Sequence, residues 1–436
     1  MQTMQKLFVL LALIVAMASC SDDKKNPITP TPTDTTGISG NQEGVLKAGT
    51  YKVTGDIVVP EGKTWTLEAG VTLLFQGDGQ TVATSPEIRV QGTFRSLGTQ
   101  AKPVTLTVPA SLATVENYDR GFWGGIQAFE TSPEVIIKWT KITHVGGPAG
   151  PNSYVGVYDD GDPRYALVYN NVNGSVVVED SYISGTSDDA VRFLGGKCSF
   201  SRNIVEMQGS TGGECVNIKS GVIGVVAYNL FIGAATNGAK TSNSGGKTIQ
   251  CNVDIYNNTF VNCGFRRTKA GRGGSINIEG GARGQIYNNL IVNCRYGLRL
   301  VSGTDLPDTL NTKYGNNCFY GSYKSFVDDF LAATPGSVSV KQGSDVMSLT
   351  PGANDPMFVN YNVMSFTEDQ LRSTFAPFSL INTHTAYNFR LKTGSPAIGK
   401  GNKNFTPVIT TIANGTIEGP SADIGCYSTD GKGLKY

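Results

Sequence analysis

The chain has 436 residues, with 36 Lys and Arg against 35 Asp and Glu, so its formal net charge is only +1. No basic face is evident, and nucleic acid is therefore not expected as a partner. The 54 glycines indicate many tight turns rather than long helices. The length is large for one globular core, but a solenoid escapes that limit because it grows along one axis.

Residues 1–19 predict a secretory signal peptide that is not part of the fold. Lys6 supplies a positive charge, and residues 7–16 form an apolar run too short to span a bilayer. The segment Met17-Ala18-Ser19-Cys20 resembles the lipobox of bacterial lipoproteins. That resemblance implies cleavage before Cys20 and a lipid anchor on its sulfur.

Residues 20–44 are expected to be a flexible tether, because Thr and Pro are frequent and large apolar residues are few. Asp22 and Asp23 are similar to an export tag that sends some lipoproteins to the outer face of the outer membrane. The resemblance implies an outer-membrane lipoprotein of a Gram-negative bacterium, exposed at the cell surface and attached to the membrane through Cys20.

From residue 45 onward, short runs of β-forming residues alternate with turn signals. Ile57-Val58-Val59 and Val71-Thr72-Leu73-Leu74-Phe75 are two such runs, separated by Pro-Glu-Gly and Ala-Gly turns. We expect one domain over residues 45–436, with side loops at 146–170 and 302–390, a short helix near residues 367–373 and a closing C-terminal coil.

An asparagine returns once per repeat through the middle of the chain, at intervals of 26, 29, 31 and 28 residues. Such a period indicates stacked units of short strands, and hence a parallel β-helix. We expect each Asn to lie at a bend, to bond backbone along the stack and to tolerate a left-handed backbone. The five positions are Asn203, Asn229, Asn258, Asn289 and Asn317.

Four segments, which begin at Asp189, Glu214, Gly274 and Tyr296, share a pattern of alternating residues. Since side chains alternate across a strand, the apolar positions predict an inward face and the positions between them an outward face. The outward set includes Arg192, Asn217, Asn277, Arg299, Lys219 and Glu279. If the first two segments are adjacent coils, about 4.8 Å apart, Asp189 and Glu214 form a carboxylate pair with Asp188 beside it.

Two chemistries fit such a pair. Asp189 and Glu214 are candidate Ca²⁺ ligands, and an ion there would acidify the α-proton of a uronate for removal by a Lys or Arg base. Alternatively, two carboxyl groups could act as acid and as nucleophile or base in glycoside hydrolysis. Arg266 and Arg267, in a Gly-rich basic loop over residues 264–274, are candidates for binding an anionic sugar chain.

Several motifs resemble those of exported bacterial right-handed parallel β-helix proteins of the pectate-lyase-like group. They are Gln91-Gly92-Thr93-Phe94, Phe122-Trp123-Gly124-Gly125-Ile126, Ser395-Pro396-Ala397-Ile398-Gly399 and Ala422-Asp423-Ile424-Gly425-Cys426-Tyr427. The resemblance covers most of residues 45–436 and implies an all-β, right-handed parallel β-helix. It does not identify a substrate, because the group includes lyases, hydrolases and adhesins.

The segment from Glu214 to Gly221 resembles the Glu-x-x-x-x-Lys-Ser segment of β-helical alginate and chondroitin lyases. That resemblance implies Glu214 as a calcium ligand and Lys219 as the base. The Arg-His-Gly motif that supplies the acid in those lyases has no counterpart here. Asp188-Asp189 is similar to the Asp pair of β-helical polygalacturonases, whose neighbouring motifs are also missing.

The seven cysteines after Cys20 show no framework spacing. Cys263 and Cys294 should stack in adjacent coils with their Cβ atoms slightly too far apart for a relaxed disulfide. We expect buried free thiols that fill space in the core.

The sequence therefore supports two hypotheses for a cell-surface protein that engages polysaccharide. In the first, Lys219, Glu214, Asp189 and Asp188 cleave an acidic glycan by Ca²⁺-assisted β-elimination, with Arg192, Asn217, Asn277, Glu279, Arg266 and Arg267 binding it. In the second, the same scaffold is a non-catalytic glycan-binding or adhesive protein.

Overall fold

The computed structural model describes residues 33–150, 157–210, 212–330, 337–338, 341–373 and 386–436. Over these residues the chain is a right-handed parallel β-helix, as the sequence predicted. Most coils contribute one strand to each of three faces, which we call sheets 1, 2 and 3. The predicted signal peptide and Cys20 lie outside the described residues.

Sheet 1 contains ten parallel strands. They are β2 (Gly44–Leu46), β4 (Thr64–Leu67), β7 (Thr93–Leu97), β10 (Glu134–Lys138), β13 (Ser175–Glu179), β16 (Gly196–Ser201), β19 (Val222–Ala227), β22 (Asn252–Tyr256), β25 (Gln285–Tyr287) and β28 (Lys313–Gly315).

Sheets 2 and 3 are joined at the N-terminal end by the long strands β1 (Thr33–Asn41) and β3 (Gly49–Val59). Sheet 2 continues with β5 (Val71–Phe75), β8 (Val104–Thr107), β11 (Thr140–Val145), β14 (Tyr182–Thr186), β17 (Ile204–Gln208), β20 (Leu230–Ile232), β23 (Thr259–Val261), β26 (Leu290–Val292) and β29 (Cys318–Tyr320). Sheet 3 continues with β6 (Ile88–Val90), β9 (Ile126–Ala128), β12 (Leu167–Tyr169), β15 (Val191–Phe193), β18 (Val216–Ile218), β21 (Asn237–Ser242), β24 (Gly274–Glu279) and β27 (Leu298–Val301).

The remaining elements are short. β30 (Ser337–Val338) pairs antiparallel with β27, and β31 (Phe358–Asn360) pairs antiparallel with β32 (Asn388–Leu391). Two 3-10 turns span Val115–Asn117 and Gly303–Asp305, and the helices are α1 (Lys324–Asp328) and α2 (Glu368–Arg372). Helix α2, which lies where the sequence predicted a helix, begins with a capping box between Thr367 and Gln370.

The core fills the space between the three sheets. In β5, Val71, Leu73 and Phe75 are fully buried while the two residues between them are half-buried, because alternate side chains point to opposite faces. In neighbouring coils Phe231 stacks on Phe260 with ring centroids 5.0 Å apart. Each strand therefore contributes one row of apolar side chains to a continuous core.

The predicted asparagine ladder runs inside the bend between sheets 1 and 2. Asn258 Oδ1 accepts hydrogen bonds from the backbone N–H of Asn229 at 2.9 Å and from its Nδ2 at 2.9 Å. Asn258 in turn donates through its Nδ2 to Asn289 Oδ1 at 3.0 Å and to the Val226 carbonyl at 2.9 Å. The same pattern joins Asn203 to Asn229 and Asn289 to Asn317, and it satisfies buried backbone groups that strand pairing leaves free at the bend.

The left-handed residue of this bend is the one before each ladder asparagine, not the asparagine itself. Arg202, Tyr228, Asn257, Asn288 and Asn316 all have φ between 50° and 60°. The prediction placed the left-handed conformation one residue too late. The ladder asparagines themselves do not have a positive φ. Their side chains lie along the stack and form hydrogen bonds with the asparagine of the next coil.

The C-terminal segment was expected to form a closing coil. Instead it runs along the outer surface of the β-helix, toward the N-terminal coils. Tyr228 and Tyr256 donate their hydroxyl protons to the carbonyls of Gly419 and Glu418, both at 2.6 Å. Further toward the N-terminal end, the terminal Tyr436 packs on Trp139 and donates to the Asp180 carbonyl at 3.0 Å. The segment therefore covers outer surfaces of many coils rather than one end.

Other boundaries also differ from the expected ones. Strands β1 and β2 begin at Thr33 and Gly44, within the segment expected to be a tether. The region expected as a side loop over 302–390 holds strands β28 and β29 of the regular stack.

The seven cysteines after Cys20 are buried and form no disulfides, as expected. No helix among the described residues is long and apolar enough to cross a membrane.

The ladder makes a specific prediction for stability. Asn258→Ala should lower the free energy of unfolding by about 3 kcal/mol or more, because it leaves the Asn229 N–H and the Val226 carbonyl buried without partners. Guanidinium denaturation of the full chain measures this change. The exposed Asn404→Ala provides the matched control, and equal midpoints for the two variants would contradict the role given to the ladder.

Candidate functional site

The outer surface of sheet 3 carries the predicted columns of polar side chains. Arg192 pairs in register with Asn217, as predicted, and Asn277 pairs with Arg299. Between Asn217 and Asn277 lies one coil that the alignment of segments missed, in which Lys240 occupies the same column. The inward residues of that coil are Ala239 and Thr241, whose small and polar side chains give a weak apolar signal.

A pocket of about 280 Å³ opens on this surface, and we call it the sheet 3 pocket. Coils containing β15, β18 and β21 form its floor, and the loop over residues 264–274 forms one wall. Three carboxyl groups and five cationic side chains line it. They are Asp188, Asp189 and Glu214, with Arg192, Lys219, Lys240, Arg267 and Arg272.

Asp189 and Glu214 occupy the same position in adjacent coils and are both buried, at 1% and 9% exposure. The Glu214 backbone N–H donates to Asp189 Oδ1 at 2.8 Å. Asp189 Oδ2 accepts from Arg192 Nη2 at 2.8 Å and from Asn217 Nδ2 at 2.8 Å. The predicted carboxylate pair is thus present, and Asp189 is held as the ionised member.

The pKa values of the three acids are driven apart. Burial, together with the negative charge of Asp189, raises the pKa of Glu214 well above its usual range. Burial also raises the pKa of Asp188, to about 7. Burial alone would raise the pKa of Asp189 as well, but the hydrogen bond from the Glu214 carboxyl and the Arg192 charge outweigh it and lower that pKa to about 2. Glu214 therefore carries a proton that it shares with Asp189.

Lys219 lies at the edge of the same pocket, half-buried, and its Nζ donates to Ser244 Oγ at 3.3 Å. Burial lowers the pKa of Lys219 to about 8, and the positive charges of Lys240 and Arg192 add to the effect. A substantial share of the amine is therefore neutral near pH 8, as a general base requires. Lys240 is paired with Glu279, whose Oε1 is 2.8 Å from its Nζ.

The basic loop is fixed by two buried arginines from the next coil. Arg299 donates to the carbonyls of Gly271 and Gly273, and Arg295 donates to those of Arg267 and Arg272. These contacts place the side chains of Arg267 and Arg272 at the pocket. Sequence reasoning treated Arg299 as an outward residue, but the loop covers it and leaves it 4% exposed.

Three predicted binding residues are not at the pocket wall. Arg266 is 3% exposed and donates to the carbonyls of Gly209 at 2.7 Å and Gly233 at 2.8 Å, so it supports the backbone behind the site. Asn277 donates to Glu279 Oε2 at 2.8 Å, and this pair holds Lys240. Asn277 and Glu279 therefore position a cation rather than line the cavity.

An aromatic residue that the sequence analysis did not select, Tyr165, packs against Arg192. The Arg192 guanidinium lies over the Tyr165 ring, 4.3 Å from its centroid. Tyr165 precedes β12 by two residues, as Asp189 precedes β15, so it occupies the preceding position in the carboxylate column. It orients Arg192 toward Asp189.

The arrangement does not fit a resident Ca²⁺ ion. The three carboxyl groups are close enough to share one, since an oxygen from each lies within 4.8 Å of the others. Calcium, however, takes about six to eight oxygen ligands, and the Asp189 oxygens already accept hydrogen bonds from Arg192, from Asn217 and from the backbone N–H of Glu214. An ion would have to displace a guanidinium and enter a site rich in cations.

Glycoside hydrolysis also fits poorly. A retaining enzyme needs one exposed carboxylate as nucleophile, about 5–5.5 Å from the acid. Asp189, the ionised member, is 1% exposed, and both of its oxygens accept hydrogen bonds. Its oxygens are therefore too buried for a sugar carbon to reach them.

A search of family models, of curated proteins and of solved structures finds no significant match to this chain. The geometry of the sheet 3 pocket is therefore the basis on which a function can be inferred.

The shifted pKa of Lys219 gives a direct test of the site. NMR titration of the methylated lysine side chains should show Lys219 titrating near 8, and Lys240→Met should raise that pKa because a neighbouring positive charge is removed. Lys219→Arg assigns the signal and the exposed Lys102→Met serves as the control. A Lys219 signal that does not respond to Lys240→Met would contradict the proposed electrostatic coupling.

Proposed function

We propose that the protein binds an acidic polysaccharide along sheet 3 and cleaves it by β-elimination in the sheet 3 pocket. The observation that carries this proposal is the position of Lys219, a partly neutral amine, beside a cluster of cations and a protonated carboxyl group. A solenoid face is long and flat, which suits a polymer.

The cations are the groups that would hold the substrate. Arg267 and Arg272 project from the fixed basic loop and can neutralise the carboxylate of a uronate, since guanidinium groups bind carboxylates in paired hydrogen bonds. Neutralisation makes the α-proton of that sugar more acidic, which is the part that a metal ion plays in the alternative scheme. Asn217 Oδ1, a buried acceptor without a hydrogen-bond partner among the described residues, can accept from a sugar hydroxyl.

The proposed reaction moves two protons. The neutral Lys219 amine removes the proton at C5 of the uronate, the C4–O glycosidic bond breaks, and a C4–C5 double bond forms. Asp188, with its pKa near 7, gives a proton to the departing oxygen and is more exposed than Glu214. Burial and the negative charge of Asp189 hold the Asp188 pKa high, and Asp189 keeps Arg192 in place.

The cellular setting is part of the proposal. A lipid anchor on Cys20 would hold the β-helix at the outer surface of a Gram-negative outer membrane, where polysaccharides are available. The pectate-lyase-like resemblance of the motifs agrees with this substrate class.

A non-catalytic glycan-binding protein on the same scaffold is the second candidate. The observation that favours it is that Lys240 and Arg192 are already paired with the acids Glu279 and Asp189.

Elimination leaves an unsaturated uronate whose ultraviolet absorbance can be followed directly. We expect absorbance to rise on one of alginate, pectate, chondroitin or heparin-type polymers. Lys219→Ala should reduce the rate by about 10²- to 10⁴-fold, because the base is lost. Glu214→Gln, which cannot share a proton with Asp189 in the same way, should also reduce it.

Lys102→Ala is the control, since Lys102 is exposed and far from the pocket. A chelator should leave the rate unchanged, because the proposed reaction uses no metal. Loss of activity with chelator and its recovery with Ca²⁺ would restore the metal-assisted scheme. A flat trace on every polymer, with retained binding in an array, would establish the non-catalytic alternative.

The reaction should also show a bell-shaped pH profile. Activity rises with pH as Lys219 loses its proton and falls as Asp188 loses its proton, so the maximum lies between about 7 and about 8. Asp188→Asn should remove the alkaline limb. Measurement of kcat/KM against pH in both proteins tests this assignment, and an unchanged alkaline limb in the variant would exclude Asp188 as the acid.

A further inference from the structure

A second polar pocket, of about 290 Å³, lies on the outer surface of sheet 1, and we call it the sheet 1 pocket. It is formed by the coils of β22, β25 and β28 and by the returning C-terminal segment. Its side chains are Asn252, Arg283, Gln285, Asn311, Lys313 and Val408, with Asp254 at its base. Since sheet 1 and sheet 3 are different faces of the solenoid, this pocket is separate from the sheet 3 pocket.

The stacking of coils arranges these side chains in two short columns. Gln285 pairs in register with Lys313, and Asn252 forms a bridge with Arg283 in the next coil. The backbones of neighbouring residues in each column are therefore about 4.8 Å apart. The two cations, Arg283 and Lys313, lie in adjacent coils but in different columns, and their long side chains can reach one anionic group placed between them.

The one carboxylate in the pocket is already occupied. Asp254 is 1% exposed, and it accepts from the Gln285 N–H at 2.7 Å, from Gln285 Nε2 at 3.1 Å and from the Val408 N–H at 2.6 Å. These bonds fix the C-terminal segment against sheet 1. Asp254 thus builds the pocket wall rather than pairing with its cations.

The cations have capacity for a ligand. Arg283 Nε is buried and has no hydrogen-bond partner among the described residues, and Lys313 is exposed. The nearby carboxylate of Asp308 accepts from Asn311 Nδ2 at 2.8 Å and from Gln250 Nε2 at 3.1 Å. A buried guanidinium N–H without a partner costs free energy unless a ligand satisfies it.

We propose that the sheet 1 pocket binds the anionic group of an acidic saccharide, a carboxylate or a sulfate, as a site without catalytic function. Arg283 and Lys313 bind the anion. The Asn252 amide and the amide oxygens of Gln285 and Asn311 offer hydrogen bonds to the sugar, since the amide nitrogens of Gln285 and Asn311 already donate to Asp254, Thr406 and Asp308. Among the described residues that line the pocket, Asp254 supplies the one carboxyl group, and it is fully engaged. This site does not depend on the reaction proposed for the sheet 3 pocket.

Calorimetric titration of the full chain with sodium glucuronate tests the proposal. Glucose is the uncharged control ligand, and sodium sulfate is added as a competitor. The titration is done in an Arg267→Ala/Arg272→Ala background, which weakens anion binding at the sheet 3 pocket. We expect glucuronate to bind and glucose not to bind. Arg283→Gln should weaken glucuronate binding by about tenfold or more, because a charge-assisted contact is lost.

Lys392→Gln, which removes an exposed charge elsewhere, is the matched control, and thermal melts confirm that each variant folds. Competition by sulfate would place sulfate esters within the ligand class, and its absence would restrict the class to carboxylates. Equal binding of glucose and glucuronate, or glucuronate binding unchanged by Arg283→Gln, would overturn the proposal. Elimination assays on Arg283→Gln alone, with Arg267 and Arg272 unchanged, distinguish the two sites, since this single variant should leave cleavage of short substrates intact.

Discussion

In-register stacking of coils, about 4.8 Å apart, is the constraint on which the rest of the structure depends. Each coil must bend between sheets, and each bend leaves buried backbone groups that strand pairing cannot satisfy. The asparagine ladder satisfies them by joining each Asn side chain to the next coil, as between Asn229 and Asn258. Because the ladder fixes the register, every other column of side chains follows from it.

Stacking in register also explains the electrostatics of the sheet 3 pocket. Two acids at the same position of adjacent coils cannot move apart, so Asp189 and Glu214 remain one strand spacing from each other in a buried place. Like charges so close are costly, and the pair keeps one proton. Burial lowers the pKa of Lys219, and the same spacing adds to this effect because it brings the positive charge of Lys240 close. A regular scaffold thus produces perturbed groups without local strain.

Irregular segments decide what these columns can bind. The basic loop over residues 264–274 turns part of an open surface into a pocket because Arg295 and Arg299 hold its backbone. The returning C-terminal segment does the same on sheet 1, where Val408 bonds to Asp254. Each site therefore combines a floor made of repeated coils with a wall made by a segment that leaves the repeat. This division explains how one scaffold can carry two polar pockets of different character on different faces.

The sequence by itself determined the architecture, because the Asn period and the alternating apolar residues are local patterns that each coil repeats. It also predicted that Asp189 and Glu214 form a pair if their segments are adjacent coils, and the register of β15 and β18 shows that these coils are adjacent. It could not reveal the position of Lys240, because Ala239 weakens the pattern of its coil. The sequence also could not show that Arg266 is buried behind the sheet 3 pocket. Nor could it show that the backbone N–H of Val408 donates to Asp254. Those outcomes depend on contacts between segments far apart in the chain, which only the tertiary structure decides.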